Sequence, residues 1–340
     1  MTASRYLHTR TAVNPTIARG AALKRRGGAA QPPYFEAKRR RTRPLVHRRA
    51  AGRAKPGIGL IFWFEILRRG AAAHSESEHM KVEPLDLNYR LWGSGKPLII
   101  AHGLFGSAVN WNRFGQGLAR KRQVFALDLR NHGNSPHSPD SSYAALVEDL
   151  NTFMARRGME KAVLVGHSLG GKVMMAFADR YPDKAERLVV LDIAPRPYPV
   201  AHRAMLEAMI GLEADRITSR EQAFEALAEA IPFEATRQFV LKNLVRGADG
   251  RYRWRINLEA IDKHLEELSQ GPSLRNAYPK PALFLRGGAS AYISDADALH
   301  IRRYYPEARI VTIEGAGHWL HADAREKTLQ AVDDFLSSDY

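Results

Sequence analysis

Short apolar runs alternate along the chain with stretches whose apolar residues recur at helical spacing. Six runs have the pattern of strands buried on both faces of a parallel sheet, and they lie at residues 97–101, 123–127, 163–165, 188–191, 282–285 and 309–313. Residues 87–92 are typical of an edge strand, and Leu146, Leu150 and Phe153 fall on one helical face within residues 142–157. Further helices are predicted at residues 172–181, 301–305 and 325–336. This alternation predicts an α/β fold, a mostly parallel sheet flanked by helices.

Residues 195–281 interrupt the alternation. They predict a short extended piece at residues 252–256 and four successive helices, near residues 202–212, 220–230, 234–245 and 258–268. A helical segment inserted between two strands is typical of a lid over the strand ends, where open α/β sheets bind ligands. We therefore assign residues 80–194 and 282–340 to the core of the domain and residues 195–281 to a helical lid.

Residues 1–79 show neither the strand nor the helical periodicity of apolar residues, and they differ in composition from the rest of the chain. They contain 14 Arg and 3 Lys against 4 Glu, a net charge of +13, so +2 of the total of +15 belongs to residues 80–340. The whole chain would suggest a nucleic-acid or membrane partner, but its basic residues lie outside the folded pattern. A segment without periodic apolar residues is expected to be disordered. No nucleic-acid partner is expected for the folded domain.

Three interpretations of this extension compete: sequence translated ahead of the true start, an organelle presequence, and an RNA- or membrane-binding arm. We favour the first, because Met80 directly precedes the folded pattern and the extension lacks the serine-rich amphipathic regularity of a presequence. The first interpretation predicts a cytoplasmic protein, whereas a presequence would predict a mitochondrial one. The apolar island at residues 58–67 is far shorter than the ~20 residues that span a bilayer, so no transmembrane segment is predicted.

The candidate chemistry begins at Gly166-His167-Ser168-Leu169-Gly170, between a predicted strand and a predicted helix. The chain has no cysteine, which excludes thiol catalysis and thiolate metal sites. A serine at such a turn has a strained backbone, and the two glycines let strand and helix approach closely. Its hydroxyl then stands beside a helix N-terminus, which favours developing negative charge. Ser168 is therefore the candidate nucleophile, and a turn serine that only caps the helix is the alternative.

Two further segments supply candidate partners for Ser168. His102-Gly103-Leu104-Phe105-Gly106 ends a buried strand, and its glycines would let the Leu104 N–H join the Leu169 N–H in holding an oxyanion. His318, alone among 13 histidines, lies in a glycine-flanked loop after the last strand, at the same edge of the sheet. Ser168, an acid and then His318 match the chain order of nucleophile, acid and base in α/β hydrolases.

In combination these segments resemble the YbfF-type esterases of the α/β-hydrolase superfamily and their mitochondrial relatives. The resemblance covers residues 80–340 and depends on His102-Gly103-Leu104-Phe105-Gly106-Ser107 with Trp111, Arg130-Asn131-His132-Gly133, Gly166-His167-Ser168-Leu169-Gly170-Gly171-Lys172, Leu191-Asp192-Ile193-Ala194-Pro195, Gly287-Gly288, Ser290 with Tyr292, and Gly315-Ala316-Gly317-His318-Trp319. It implies the α/β-hydrolase fold and a carboxylesterase or thioesterase that acts on small esters or thioesters, mostly with short acyl chains, without a cofactor or metal. Within these pieces we expect four residues to line the substrate pocket, namely Phe105, Trp111, Tyr292 and Trp319.

The acid that would orient His318 is missing from its commonest place in this fold. The loop after the penultimate strand, residues 286–292, carries no acid and has Ser290 there instead. Asp295 and Asp297 lie further on, where capping of the next helix is the simpler role. Asp192 ends the strand at residues 188–191, next to the nucleophile strand, and the resembling esterases also have an aspartate there. We therefore predict Asp192 as the acid, with Asp295 and Asp297 as the alternatives.

Other activities of the same fold stay open. Hydrolases of carbon–carbon bonds and perhydrolases share this triad, whereas dehalogenases and epoxide hydrolases have aspartate in place of Ser168. A ligand-binding protein that has kept the fold without catalysis is a further alternative. The complete set of triad and oxyanion residues argues against it.

Overall fold

The computed structural model describes residues 82–338, so the predicted extension at residues 1–79 lies outside the described residues. The described part contains nine strands: β1 (Tyr89–Trp92), β2 (Pro97–Ala101), β3 (Gln123–Leu127), β4 (Ala162–His167), β5 (Ala185–Leu191), β6 (Leu244–Arg246), β7 (Tyr252–Trp254), β8 (Ala282–Gly287) and β9 (Ala308–Ile313). Its α-helices are α1 (Asn112–Leu118), α2 (Tyr143–Arg156), α3 (Leu169–Arg180), α4 (Arg203–Gly211), α5 (Arg220–Ala226), α6 (Glu234–Leu241), α7 (Leu258–Gln270), α8 (Asp297–Tyr304), α9 (Leu320–Asp323) and α10 (Arg325–Ser337).

Seven of these strands form one sheet in the order β1-β3-β2-β4-β5-β8-β9. β1 runs antiparallel to β3, and every other neighbouring pair is parallel. The α/β prediction is therefore confirmed. Because β2, β4, β5 and β8 are neighbours with the same direction, the loops that follow them meet at one edge of the sheet.

Successive residues of the central strands pack against helices on opposite faces of the sheet. Ile99 and Leu164 belong to the cluster that contains the apolar residues of α2 and α3. Ile100 and Val165 belong to the cluster on the other face, with the apolar residues of α1 and α10. Both faces are buried, and this explains why the strands appear in the sequence as continuous apolar runs.

The chain between β5 and β8 forms α4 to α7 and the separate antiparallel hairpin β6–β7. Its apolar residues make a cluster of their own, and the buried members on the helices are Met205, Leu206, Met209, Ala223, Val240, Leu241, Leu258, Ile261 and Leu265. The predicted helix at residues 234–245 is too long, because α6 ends at Leu241 and the hairpin begins at Leu244. Gly250, with φ 80°, supplies the left-handed residue that the hairpin turn needs.

None of the helices among residues 82–338 combines the length and apolarity that crossing a membrane requires.

Candidate active site

Ser168 lies at the turn between β4 and α3 with φ 50° and ψ −116°. Such values strain any residue that has a Cβ. The turn also needs glycine on both sides, since a Cβ on Gly166 would lie 2.4 Å from the Gly170 oxygen and one on Gly170 would lie 2.3 Å from the Ala101 oxygen. Ser168 N donates a hydrogen bond to the Leu191 oxygen at 3.1 Å, which holds the serine beside the end of β5.

Leu104 and Leu169, the residues predicted to hold an oxyanion, line the same cavity as Ser168. Leu169 is the first residue of α3, so its N–H lies at the positive end of the helix dipole. The loop after β2 comes close because Gly103 has no side chain: a Cβ there would lie 3.2 Å from Ser168 Cβ. Neither the Leu104 N–H nor the Leu169 N–H donates a hydrogen bond to another described residue. Both donors are therefore available to a ligand.

The Asp192 carboxylate is fully buried at the end of β5. Its Oδ1 accepts a hydrogen bond from the Gly287 N–H at 3.0 Å. Its Oδ2 accepts hydrogen bonds from His318 Nδ1 at 2.8 Å and from the Ser290 hydroxyl. The backbone of Asp192 has φ 52°, so it is a second strained residue at this edge of the sheet. Ser290 lies in the loop after β8, where this fold most commonly has the acid. Its hydroxyl contacts the Asp192 carboxylate.

The two alternative acids lie away from His318. Asp295 pairs with Arg286 and its side chain is 93% exposed. Asp297 pairs with Arg196 and accepts a hydrogen bond from Ser294 N, as a residue at a helix start commonly does. Of the three predicted acids, Asp192 is the one that the structure brings to the imidazole.

His318, in the loop between β9 and α9, is held through both its ring and its backbone. Because Nδ1 faces Asp192, its proton lies on Nδ1 and Nε2 is the acceptor. The Tyr292 ring stacks on the imidazole with centroids 3.9 Å apart and planes inclined by 17°. Burial lowers the pKa of His167 well below its usual value, so His167 is neutral and its Nε2–H donates to the His318 carbonyl oxygen at 2.8 Å. No hydrogen bond joins His318 to Ser168 among the described residues, as is common before a substrate binds.

A cavity lies beside Ser168. Its lining is mainly apolar and consists of Leu104, Ser168, Leu169, Lys172, Ile193, Tyr198, Pro199, Ala201, His202, Leu265, Leu268, Ser269 and Tyr292. Tyr292 was predicted to line it. Lys172, Tyr198 and His202 also line the cavity but were not predicted from the sequence. Lys172 could have been predicted, because a residue four positions after Ser168 on a helix lies on the same helix face as the serine.

Phe105, Trp111 and Trp319 are not among the residues that line this cavity, and their assignment to the substrate pocket stays a prediction. Phe105 is buried in the apolar cluster of the inserted helices. Trp111 is fully buried in the cluster on the α1 and α10 face, where it stacks on His321 at 4.3 Å. Trp319 packs against Phe239 at 5.4 Å.

Burial also changes the charge of two basic side chains in the cavity. Burial, together with the nearby His318 and Lys172, lowers the pKa of His202 to about 4. His202 is therefore neutral near pH 7. Burial, assisted by the nearby Arg196, lowers the pKa of Lys172 to about 7.

The sheet order and the strained strand-to-helix turn at Ser168 define the class of protein: this is an α/β hydrolase. The comparison with known families agrees, since the family described as "alpha/beta hydrolase fold" matches residues 96–324. The chain belongs to this family.

Within the family, several relatives are named as esterases or lipases. The chain is 39% identical over 274 residues to the sn-1-specific diacylglycerol lipase ABHD11 of Mus musculus, covering 77% of this chain and 89% of the relative. It is 32% identical to the esterase YbfF of Escherichia coli, covering 72% of this chain and 94% of the relative. A solved structure of a marine microorganism esterase is 40% identical with a TM-score of 0.72, covering 74% of this chain and 99% of that one. The protein is a carboxylesterase-type serine hydrolase of the YbfF-related group.

Proposed function

We propose that Ser168 is the nucleophile, His318 the general base and Asp192 the orienting acid of an enzyme that hydrolyses carboxylic esters through an acyl-enzyme. The observation that carries the proposal is the 2.8 Å hydrogen bond between His318 Nδ1 and the buried Asp192 carboxylate. It holds the imidazole in the tautomer whose Nε2 can accept a proton. Ser168, at the end of the strand next to that of Asp192, is the hydroxyl group available to give it.

In this mechanism Ser168 Oγ attacks the ester carbonyl carbon while His318 Nε2 takes its proton. The negative charge moves to the carbonyl oxygen, which accepts hydrogen bonds from the Leu104 and Leu169 N–H groups. Each such donor contributes on the order of 3–4 kcal/mol to transition-state stabilisation. Asp192 stabilises the imidazolium without taking its proton.

The tetrahedral intermediate then expels the alcohol, which leaves with the proton from His318 Nε2. A water molecule gives a proton to the same nitrogen and attacks the acyl carbon, and the second tetrahedral intermediate releases the carboxylic acid and restores Ser168. The mainly apolar lining of the cavity favours short to medium acyl chains. Acyl thioesters react by the same steps, with a thiol as leaving group.

We also propose the division of the chain given by its pattern: residues 80–194 and 282–340 as the catalytic core, and residues 195–281 as a lid. Seven of the residues that line the cavity lie in that inserted segment, namely Tyr198, Pro199, Ala201, His202, Leu265, Leu268 and Ser269. A segment that supplies part of the cavity wall must affect which substrates enter.

The test is a hydrolysis screen of p-nitrophenyl esters from acetate to palmitate, with acyl-coenzyme A thioesters and, because of the named relatives, diacylglycerol in parallel. We expect activity that is highest on the shorter esters. Ser168→Ala should reduce kcat by ~10⁶. Ser142→Ala, which removes a serine that caps α2, is the matched control and should retain kcat. A Ser168→Ala variant with a tenth of the wild-type activity would exclude this mechanism.

The location proposed for the protein is the cytoplasm, with the mitochondrion as the alternative if residues 1–79 act as a presequence. Expression of the full chain and of residues 80–340, each with a fluorescent tag at the C-terminus, separates the two. Mitochondrial signal that disappears with residues 1–79 supports the alternative.

A further inference from the structure

Lys172 is a buried basic residue in the cavity that holds Ser168. It lies one helical turn after Ser168 in α3, and its side chain lines the same cavity. The residue is 4% exposed, which is rare for lysine unless a partner compensates its charge.

The contacts of Lys172 satisfy its hydrogen-bond donors but do not neutralise its positive charge. Nζ donates to the carbonyl oxygens of Leu268 at 3.0 Å and of Ser269 at 2.9 Å, near the C-terminal end of α7. It lies 4.9 Å from the centre of the Tyr198 ring. These groups are neutral, although the helix end and the ring face favour a cation. Among residues 82–338, no carboxylate forms a salt bridge with Lys172.

The charged neighbour that acts on Lys172 is another cation. Arg196 lowers the pKa of Lys172 by repulsion, in addition to the effect of burial. Arg196 itself is paired, through the salt bridge to Asp297. Lys172 is thus the cation of this pair that lacks an anion, and it lines the same cavity as Ser168.

Burial of a charge without a counter-charge costs free energy, and a ligand that supplies the counter-charge recovers part of it. We propose that Lys172 forms a subsite for a carboxylate carried by the substrate in addition to its ester group. This inference rests on the proposed function and refines its substrate class: half-esters of short dicarboxylic acids, or esters of short hydroxy acids. Ser168 and Lys172 are about 6 Å apart along the helix axis, a span that a few carbon atoms cover.

The first experiment compares substrates on the full-length wild-type protein. The acyl-side set is the monoethyl esters of dicarboxylic acids with four to eight carbons, each paired with its neutral primary amide. The alcohol-side set is acetate esters of short hydroxy acids, paired in the same way. A hydrogen bond to a charged group corresponds to roughly a 10- to 100-fold effect on kcat/KM. We expect the acid to exceed its amide by that factor in one set, which then identifies the side of the ester that Lys172 addresses.

The second experiment assigns the preference to this residue. Lys172→Met keeps the length and burial of the side chain but removes its charge, and it should bring the acid-to-amide ratio close to one. Lys172→Arg should keep part of the ratio. Lys121→Met is the matched control, because Lys121 lies on the surface, where it pairs with Asp333, and this variant should retain the wild-type ratio. Each ratio is taken within one variant, so a general loss of activity from altered packing cancels.

Equal kcat/KM for acid and amide in both sets would overturn the proposal, as would a preference that persists in Lys172→Met. A residue that only tethers α7 to α3 would change both substrates of a pair equally. The neutral ester ethyl butyrate distinguishes a failure of the carboxylate subsite from a failure of the proposed esterase function. If the wild type cleaves it and Ser168→Ala does not, the proposed esterase function stands whatever the carboxylate test shows.

Discussion

The Asp192 carboxylate accepts hydrogen bonds from the Gly287 N–H, the Ser290 hydroxyl and His318 Nδ1. Asp192→Asn keeps the shape of this group but can present an N–H to the imidazole, which favours the wrong histidine tautomer. We expect kcat to fall by ~10⁴ with the fold intact, measured by ester hydrolysis and circular dichroism. Asp295→Asn is the control, since its side chain is 93% exposed. An active Asp192→Asn enzyme beside an inactive Asp295→Asn or Asp297→Asn enzyme would move the acid to the later loop.

His132 makes the stability of the protein depend on pH. Burial and the nearby His102 lower its pKa to about 3, while its Nδ1–H donates to the Arg130 carbonyl oxygen. Above pH 6.5 the side chain is neutral in both folded and unfolded protein, so it contributes no pH dependence. As the pH falls from 6.5 towards 3, the unfolded chain binds a proton that the folded protein does not, and about 1.4 kcal/mol of stability is lost per pH unit.

His132→Asn tests this linkage, because asparagine does not titrate and its amide can donate to the same carbonyl oxygen. Urea unfolding at pH 7.5, 6.0 and 5.0 should show that the variant loses less stability with falling pH than the wild type does. The difference should be about 1.4 kcal/mol for each pH unit below 6.5. Parallel curves for the two proteins would show that His132 is protonated in the folded state.

At the scale of elements, the loop after β3 is joined to α2 by a buried ion pair. Arg130 Nε lies 2.7 Å from Asp149 Oδ2, and Arg130 Nη2 lies 2.8 Å from Oδ1, with both side chains 1% exposed. Arg130→Met would leave the Asp149 charge buried without its partner, so we expect a loss of about 3–5 kcal/mol in the free energy of unfolding. Urea denaturation measures it. The double variant Arg130→Met, Asp149→Leu should recover much of the loss, and equal stability of the single and double variants would contradict this account.

The prediction for the whole molecule concerns residues 1–79, which hold +13 of the net charge of +15. A chain that begins at Met80 should fold and keep full esterase activity, because a segment without periodic apolar residues adds little to a core. Thermal unfolding and kcat/KM of the two lengths are the measurements. Insolubility or inactivity of the shorter chain alone would show that the extension is structural.

The sequence predicted those parts of the fold that depend on local burial. β2 and β3 begin and end where their apolar runs do, at Pro97–Ala101 and Gln123–Leu127, because both faces of these strands are covered. It did not predict α1, whose sequence has two glycines and little helical periodicity. The extended piece predicted at residues 252–256 contains β7, but β6 and its pairing with β7 were missed, because a strand of three residues is too short to show a period.

For the candidate site, the sequence by itself determined the turn at Ser168 and singled out the loop of His318, since both depend on glycines within a few residues. The tertiary structure decided which acid meets the imidazole: Asp192 and His318 are 126 positions apart and come together because β5, β8 and β9 are neighbours in the sheet. It also decided that Lys172, rather than Trp111, lines the cavity. Contacts between distant positions follow from the order and direction of strands and from the packing of the inserted helices, which no local pattern in the chain encodes.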